Sequence, residues 1–179
     1  MDYTHLEHRH RFAAWAAARS VQRGFGGATT GKLIEAIAAA GAPSMLLDRL
    51  QLISAADGFD SLHLEACEKI QFSLKEFQAS FGRAAKLLAV YLKAMIVVGP
   101  CDEWLCAKYI HPPIDRILLR GISRAKDVPD TLRESCQNAN WTKLEEPQDS
   151  DLIKSLRDAN LDQPVFWMIA RYWNPSGEI

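Results

Sequence analysis

Residues 84–98 read AAKLLAVYLKAMIVV, from Ala84 to Val98. Apart from Tyr91, the only polar side chains in this run are Lys86 and Lys93, seven apart and so on nearly one face of a helix. Their flanking positions, Ala89, Val90 and Val97, are small or apolar. A helix that is apolar on all sides is buried by other helices or sheets. The longest apolar stretch, Leu87 to Gly99, is interrupted by Lys93 and is too short to cross a bilayer. The run therefore predicts the central helix of a domain, Arg83 to Val98, preceded by Gly82.

Working outward, the remaining signals are helical too. His8 to Arg23 is alanine-rich, with Phe12, Trp15 and Ala16 at helical spacing, and Gly24–Phe25–Gly26–Gly27 ends it. Thr29 or Thr30 can cap the next helix, Lys32 to Ala40. Ser44 to Ala55 and a longer amphipathic segment, Ser61 to Gln78, complete the N-terminal half. The second carries Leu64, Cys67, Ile70, Leu74 and Phe77 as its stripe. On the other side come a Gly99–Pro100 turn, a short helix near Asp102 to Lys108, and His111–Pro112–Pro113 opening a helix at Ile114 to Ile122. Asp130 to Gln137, Asp151 to Ala159 and Pro164 to Trp173 follow. No segment reads as a strand. The expected class is all-α, a compact bundle of about eight to ten helices spanning 1–179 as one domain, either around one core or as two lobes sharing a cleft.

Composition narrows the setting. Hydrophobic residues are 48% and charged residues 24% of the 179, an ordinary globular balance. The formal net charge is −1, yet its distribution is uneven. Ten Lys/Arg face four Asp/Glu between Lys69 and Lys126, and four face nine from Asp127 to Asp162. A basic middle beside an acidic later segment can make one cationic face, the arrangement a phosphate backbone requires, or two solvated helix faces. Cys67, Cys101, Cys106 and Cys136 form neither a CxxC pair nor a disulfide framework, and the Met-Asp-Tyr-Thr start is not a signal peptide. A reducing cytoplasm and no membrane association are expected, with no cofactor and no metal site.

Two motifs carry little. Gly26 to Lys32 spells GGATTGK, but Leu33 stands where a phosphate-binding loop needs Ser or Thr, and the segment follows a helix rather than a strand. His5, His8 and His10 lack a supporting carboxylate or cysteine, and read as terminal histidines.

The chemistry rests on Lys86 and Asp115. A buried ammonium must reach solvent, pair with a carboxylate or lose its proton, and the last outcome makes it a nucleophile. Asp115 falls in the first turn of the helix opened by Pro112–Pro113, where free N–H groups and the helix dipole hold a carboxylate. Lys86 to Met95 (KLLAVYLKAM) followed by Pro113–Ile114–Asp115–Arg116–Ile117 resembles the Lys-helix and Asp-helix of archaeal 8-oxoguanine DNA glycosylases, of the helix-hairpin-helix superfamily. The match covers residues 82–122. Small bacterial proteins share segments similar to His10–Trp15, Lys86–Lys93 and Trp141–Leu144. The superfamily's Gly-rich hairpin has no counterpart between Val98 and Ile110, and Val90 replaces the aromatic residue that stacks on an oxidised purine.

The resemblance implies a glycosylase acting on double-stranded DNA, with a damaged or modified nucleotide flipped into a pocket. The base would be an oxidised purine or a modified phage base such as glucosylated hydroxymethylcytosine, which extends the setting to DNA repair or anti-phage defence. Lys86 and Asp115 would be catalytic, and Trp15, Trp167 and Trp173 would wall the base. Arg83, Lys93, Arg116, Arg120 and Arg124 would meet phosphates. The competing expectation is a non-enzymatic helical DNA-binding or defence accessory module, in which Lys86 and Asp115 point apart or form a plain salt bridge with no adjacent cavity. A glycosylase should instead line one cleft with both side chains, amid aromatic residues and a basic rim.

Overall fold

The computed structural model describes residues 3–160, 163 and 165–176. Among them there is no strand, and eight α-helices alternate with short 3₁₀ turns. They are α1 (His5–Gln22), α2 (Thr30–Ala39), α3 (Ser44–Gln51), α4 (Ala56–Ser73), α5 (Phe81–Leu92), α6 (Arg116–Arg124), α7 (Asp130–Asn138) and α8 (Glu146–Asp158). No helix is long and apolar enough to cross a membrane.

The caps follow from short polar side chains that satisfy the first free N–H groups of each helix. Thr4 accepts from Glu7 N–H at the start of α1, Thr29 from Lys32 N–H at α2, and Ser80 from Arg83 N–H at α5. At α8 the Glu145 and Gln148 side chains form a reciprocal capping box, which starts the helix five residues before Asp151. Three further expectations shift. The central helix ends as α at Leu92 and continues as a π turn, Lys93–Val97, closed by the Val98 N–H donating to the Lys93 carbonyl at 2.8 Å. The expected Asp102–Lys108 helix is two 3₁₀ turns, Cys101–Glu103 and Leu105–Tyr109. The last helix is also 3₁₀, Phe166–Tyr172; its expected first residue, Pro164, lies outside the described residues.

Two hydrophobic clusters organise the chain. The larger joins α1 to α5 with the Leu105–Tyr109 turn around Leu33, Ile37, Phe59, Leu87, Leu88 and Tyr91. The smaller joins α6, α7, α8 and the last 3₁₀ turn around Leu118, Ile122, Leu156 and Ile169. Trp141 packs against both. Helix α5 lies in the first cluster against α1, running antiparallel, so that Tyr91 meets His10 while Lys86 and Arg83 meet Ser20 and Val21. The N-terminus of α6 sits at the border, and this is what brings Asp115 to α5.

Candidate functional site

Lys86 is only 7% exposed, and all of its ammonium contacts are internal. It donates to the Ser20 carbonyl at 3.1 Å and pairs with Asp115 Oδ2 at 3.3 Å. The ammonium also lies 4.3 Å from the centre of the Trp141 ring, within cation–π range. Burial, reinforced by the nearby Arg83, lowers the Lys86 pKa, and Asp115 opposes the shift.

Asp115 is 9% exposed and stands two positions earlier along its helix than expected. It is the N-cap of α6, with extended backbone, rather than a residue of its first turn, because only a non-helical residue can turn its carboxylate back onto the free N–H groups. Oδ1 accepts from both Ile117 and Leu118 N–H at 2.9 Å. Oδ2 accepts from the Trp173 indole N–H at 3.2 Å as well as from Lys86. Two side chains 29 positions apart in sequence thus meet across the border between the clusters, one from each side.

Two tryptophans cover the pair, and each is brought there by a close backbone approach to a glycine. A Cβ on Gly82 would collide with the Trp141 carbonyl oxygen, and one on Gly121 with the Tyr172 carbonyl oxygen, next to Trp173. Lys93, on the same face of α5 as Lys86, lies 6.0 Å from the Trp173 ring. Burial lowers its pKa, and Asp115 opposes this too. Trp173 was expected at the site, whereas Trp141 was not; its signal was Gly82, a glycine at the head of an otherwise continuous apolar helix.

The other expected residues divide. Arg116, Arg120 and Arg124 form an exposed ladder along α6 at helical spacing, and none of the three makes an ion pair among the described residues. Two grooves flank the ladder. One, of about 690 Å³, runs past Asn138 and Asn140 to Trp141, and the other, of about 460 Å³, past Tyr172 and Ser176. Neither Lys86 nor Asp115 lines them.

Arg83 departs from the expected phosphate contact. Its guanidinium donates to the Val21 and Gly24 carbonyls at 3.2 and 2.8 Å and stacks on Phe25, because the C-terminal carbonyls of α1 need donors. Trp15 is 52% exposed on the outer face of α1 beside Phe12, and the buried indole N–H of Trp167 donates to no described group. Neither makes the contacts with Lys86 and Asp115 that Trp141 and Trp173 make.

The two minor motifs resolve as packing. Lys32 of GGATTGK lies in the first turn of α2 and pairs there with Glu35 at 3.0 Å, and His10 bonds the Tyr91 hydroxyl at 2.9 Å. Among the described residues no group of three or more His, Cys, Asp or Glu side chains could hold a metal ion. In comparisons with known proteins, no family model, no curated protein and no solved structure matches the chain.

Proposed function

We propose that the chain is a DNA N-glycosylase that excises a damaged or modified base, with Asp115 and Lys86 as its catalytic residues. The observation that supports this reading is the meeting of a buried lysine on α5 with the aspartate that caps α6, beneath two tryptophans, where α6 carries on its outer face three arginines that make no ion pair among the described residues. In this reading the arginine ladder takes backbone phosphates, and the flipped nucleotide enters beside Trp173, displacing its indole from Asp115.

Breaking the N-glycosidic bond sends its electron pair to the departing base and leaves positive charge on C1′. The Asp115 carboxylate, held by two backbone N–H groups, stabilises that charge. Lys86, its pKa lowered by burial, passes one proton by way of Asp115 to the departing base and forms the C1′–N bond; a second proton from that nitrogen goes to O4′ as the sugar C1′–O4′ bond opens, which yields a protonated Schiff base. Where water attacks instead, Asp115 takes its proton and the product is an abasic site.

The test is base release from duplexes carrying oxidised purines or glucosylated hydroxymethylcytosine, with borohydride trapping of the protein–DNA adduct. Release is expected from at least one substrate, lost in Asp115→Asn. Trapping that persists undiminished in Lys86→Gln would remove Lys86 as the nucleophile.

A second reading is a non-enzymatic DNA-binding module. Two observations favour it: every contact of the pair is satisfied internally, as in a plain structural salt bridge, and neither residue lines the grooves beside α6. It predicts duplex binding through α6 with no base release from any substrate, and unchanged binding in Asp115→Asn.

A further inference from the structure

Away from the lysine–aspartate pair, a cavity of about 520 Å³ opens between α4, the start of α5 and α8. This is within the size range of small-molecule sites, roughly 300–1,000 Å³. Asp149 lines it and is only 3% exposed. No hydrogen bond from a described residue reaches its buried Oδ1, an arrangement that buried carboxyls otherwise avoid.

A second buried polar atom is unmet in a residue that lines the same cavity. His111 Nε2 lies 2.9 Å from Asp60 Oδ1 and 3.4 Å from the Arg157 guanidinium, and its buried Nδ1 has no hydrogen-bond partner among the described residues. Asp60 is itself occupied by Arg157, through two bonds of 2.9 Å. The other charged groups lining the cavity are Asp57, Glu146 and Asp158 against Lys154, so its field is negative. Leu64, Phe81 and Ile153 supply apolar wall.

We propose that this cavity binds a small organic cation of the amidinium or guanidinium class, with its N–H groups on Asp149 and its body against Phe81 and Ile153. Such a ligand brings the donors that the Asp149 carboxyl lacks, and a positive charge to match the rim. An anion would meet the three rim carboxylates. The groups facing Asp149 are Glu146 on its own helix, His63 and Cys67 from α4, and His111, with Lys154, Arg157, Asp57, Asp60 and Asp158 around the opening. Burial, with Glu146 adding to it, pushes the Asp149 pKa up to about 7, so the carboxylate that receives the cation is formed mainly above neutrality.

The experiment is calorimetric titration of the full chain with benzamidine and with agmatine, at pH 6 and pH 8. One equivalent of benzamidine is expected to bind, with affinity rising about tenfold from pH 6 to pH 8 as Asp149 ionises. Asp149→Asn should weaken binding at pH 8 by about tenfold or more and flatten the pH dependence. Glu146→Gln, at the partly exposed rim, tests the field without touching the buried carboxyl and should weaken binding severalfold even if Asp149→Asn does not fold. No saturable binding of either compound at pH 8, or unchanged affinity in both variants, would overturn the proposal. Neither Lys86 nor Asp115 lines this cavity, so base release and cation binding succeed or fail separately.

Discussion

Lys86 and Asp115 are unequal when one is removed. Without Lys86, the Asp115 carboxylate still accepts from two backbone N–H groups and the Trp173 indole. Without the carboxylate, Lys86 keeps only the Ser20 carbonyl and an aromatic face, and α6 loses its cap. Lys86→Met is therefore expected to cost about 1–2 kcal/mol. Asp115→Ala should cost about 3–5 kcal/mol. Urea denaturation of both variants checks this, and equal costs would contradict the asymmetry. Asp149 supplies a pH dependence of the opposite kind from its neighbours. Its folded-state pKa lies above its unfolded one, so its contribution is greatest in acid and is lost as pH rises through about 7. Burial lowers the pKa of His63 and His111 instead, and their contribution is present above about 6.5 and lost as pH falls. Melting temperature should pass through a maximum on the acid side of neutrality, and Asp149→Asn should remove the loss that accumulates between about pH 4 and pH 7. At this scale the sequence revealed Lys86 and Asp115, because a cation in an apolar run and an acid after two prolines are local signals. Asp149 is invisible there: it sits in an acidic stretch, and only the tertiary packing of α8, against α5 and α7, buries it.

Among elements, the helical periodicity of 84–98 and the Ala-rich first helix were legible, and so was the all-α class. The π turn at Lys93–Val97 was not, since its residues are ordinary helix formers and the extra residue per turn is decided by packing. The 3₁₀ form of Phe166–Tyr172 was equally hidden; its aromatic spacing suits either helix. Glycines inside helices were the overlooked signal. Gly121 lies within α6, where replacement by alanine ordinarily adds roughly 0.5–1 kcal/mol of stability. Here the new Cβ would meet the Tyr172 carbonyl oxygen, so Gly121→Ala is expected to destabilise by about 1–3 kcal/mol. Thermal melting gives the sign, and a stabilised variant would show that the last turn does not rest on α6. In Gly121→Ala the hydrogen bond from Trp173 to Asp115 should be lost as well, weakening the cover over the pair without altering either charged group.

Taken whole, the molecule separates its charge. The arginine ladder of α6 presents one cationic surface, while the cavity beside α8 is acidic, and the formal net charge of −1 conceals both. If α6 lies along a duplex, each phosphate contact releases about 0.9 counterion. Arg120→Gln with Arg124→Gln should then lower the slope of log K against log salt by about 1.8, whatever the DNA sequence. Fluorescence anisotropy with labelled duplexes measures this, and an unchanged slope would place the DNA elsewhere. The aromatic cover also makes the molecule optically self-reporting. Of its five tryptophans, Trp141 lies over the Lys86 ammonium and Trp173 donates to the Asp115 carboxylate. Indole emission shifts with neighbouring charge and with water, so a chain keeping only these two tryptophans would signal the opening of the pair in real time. Its emission would redden when Trp173 leaves the carboxylate, before any bond in a substrate is cut.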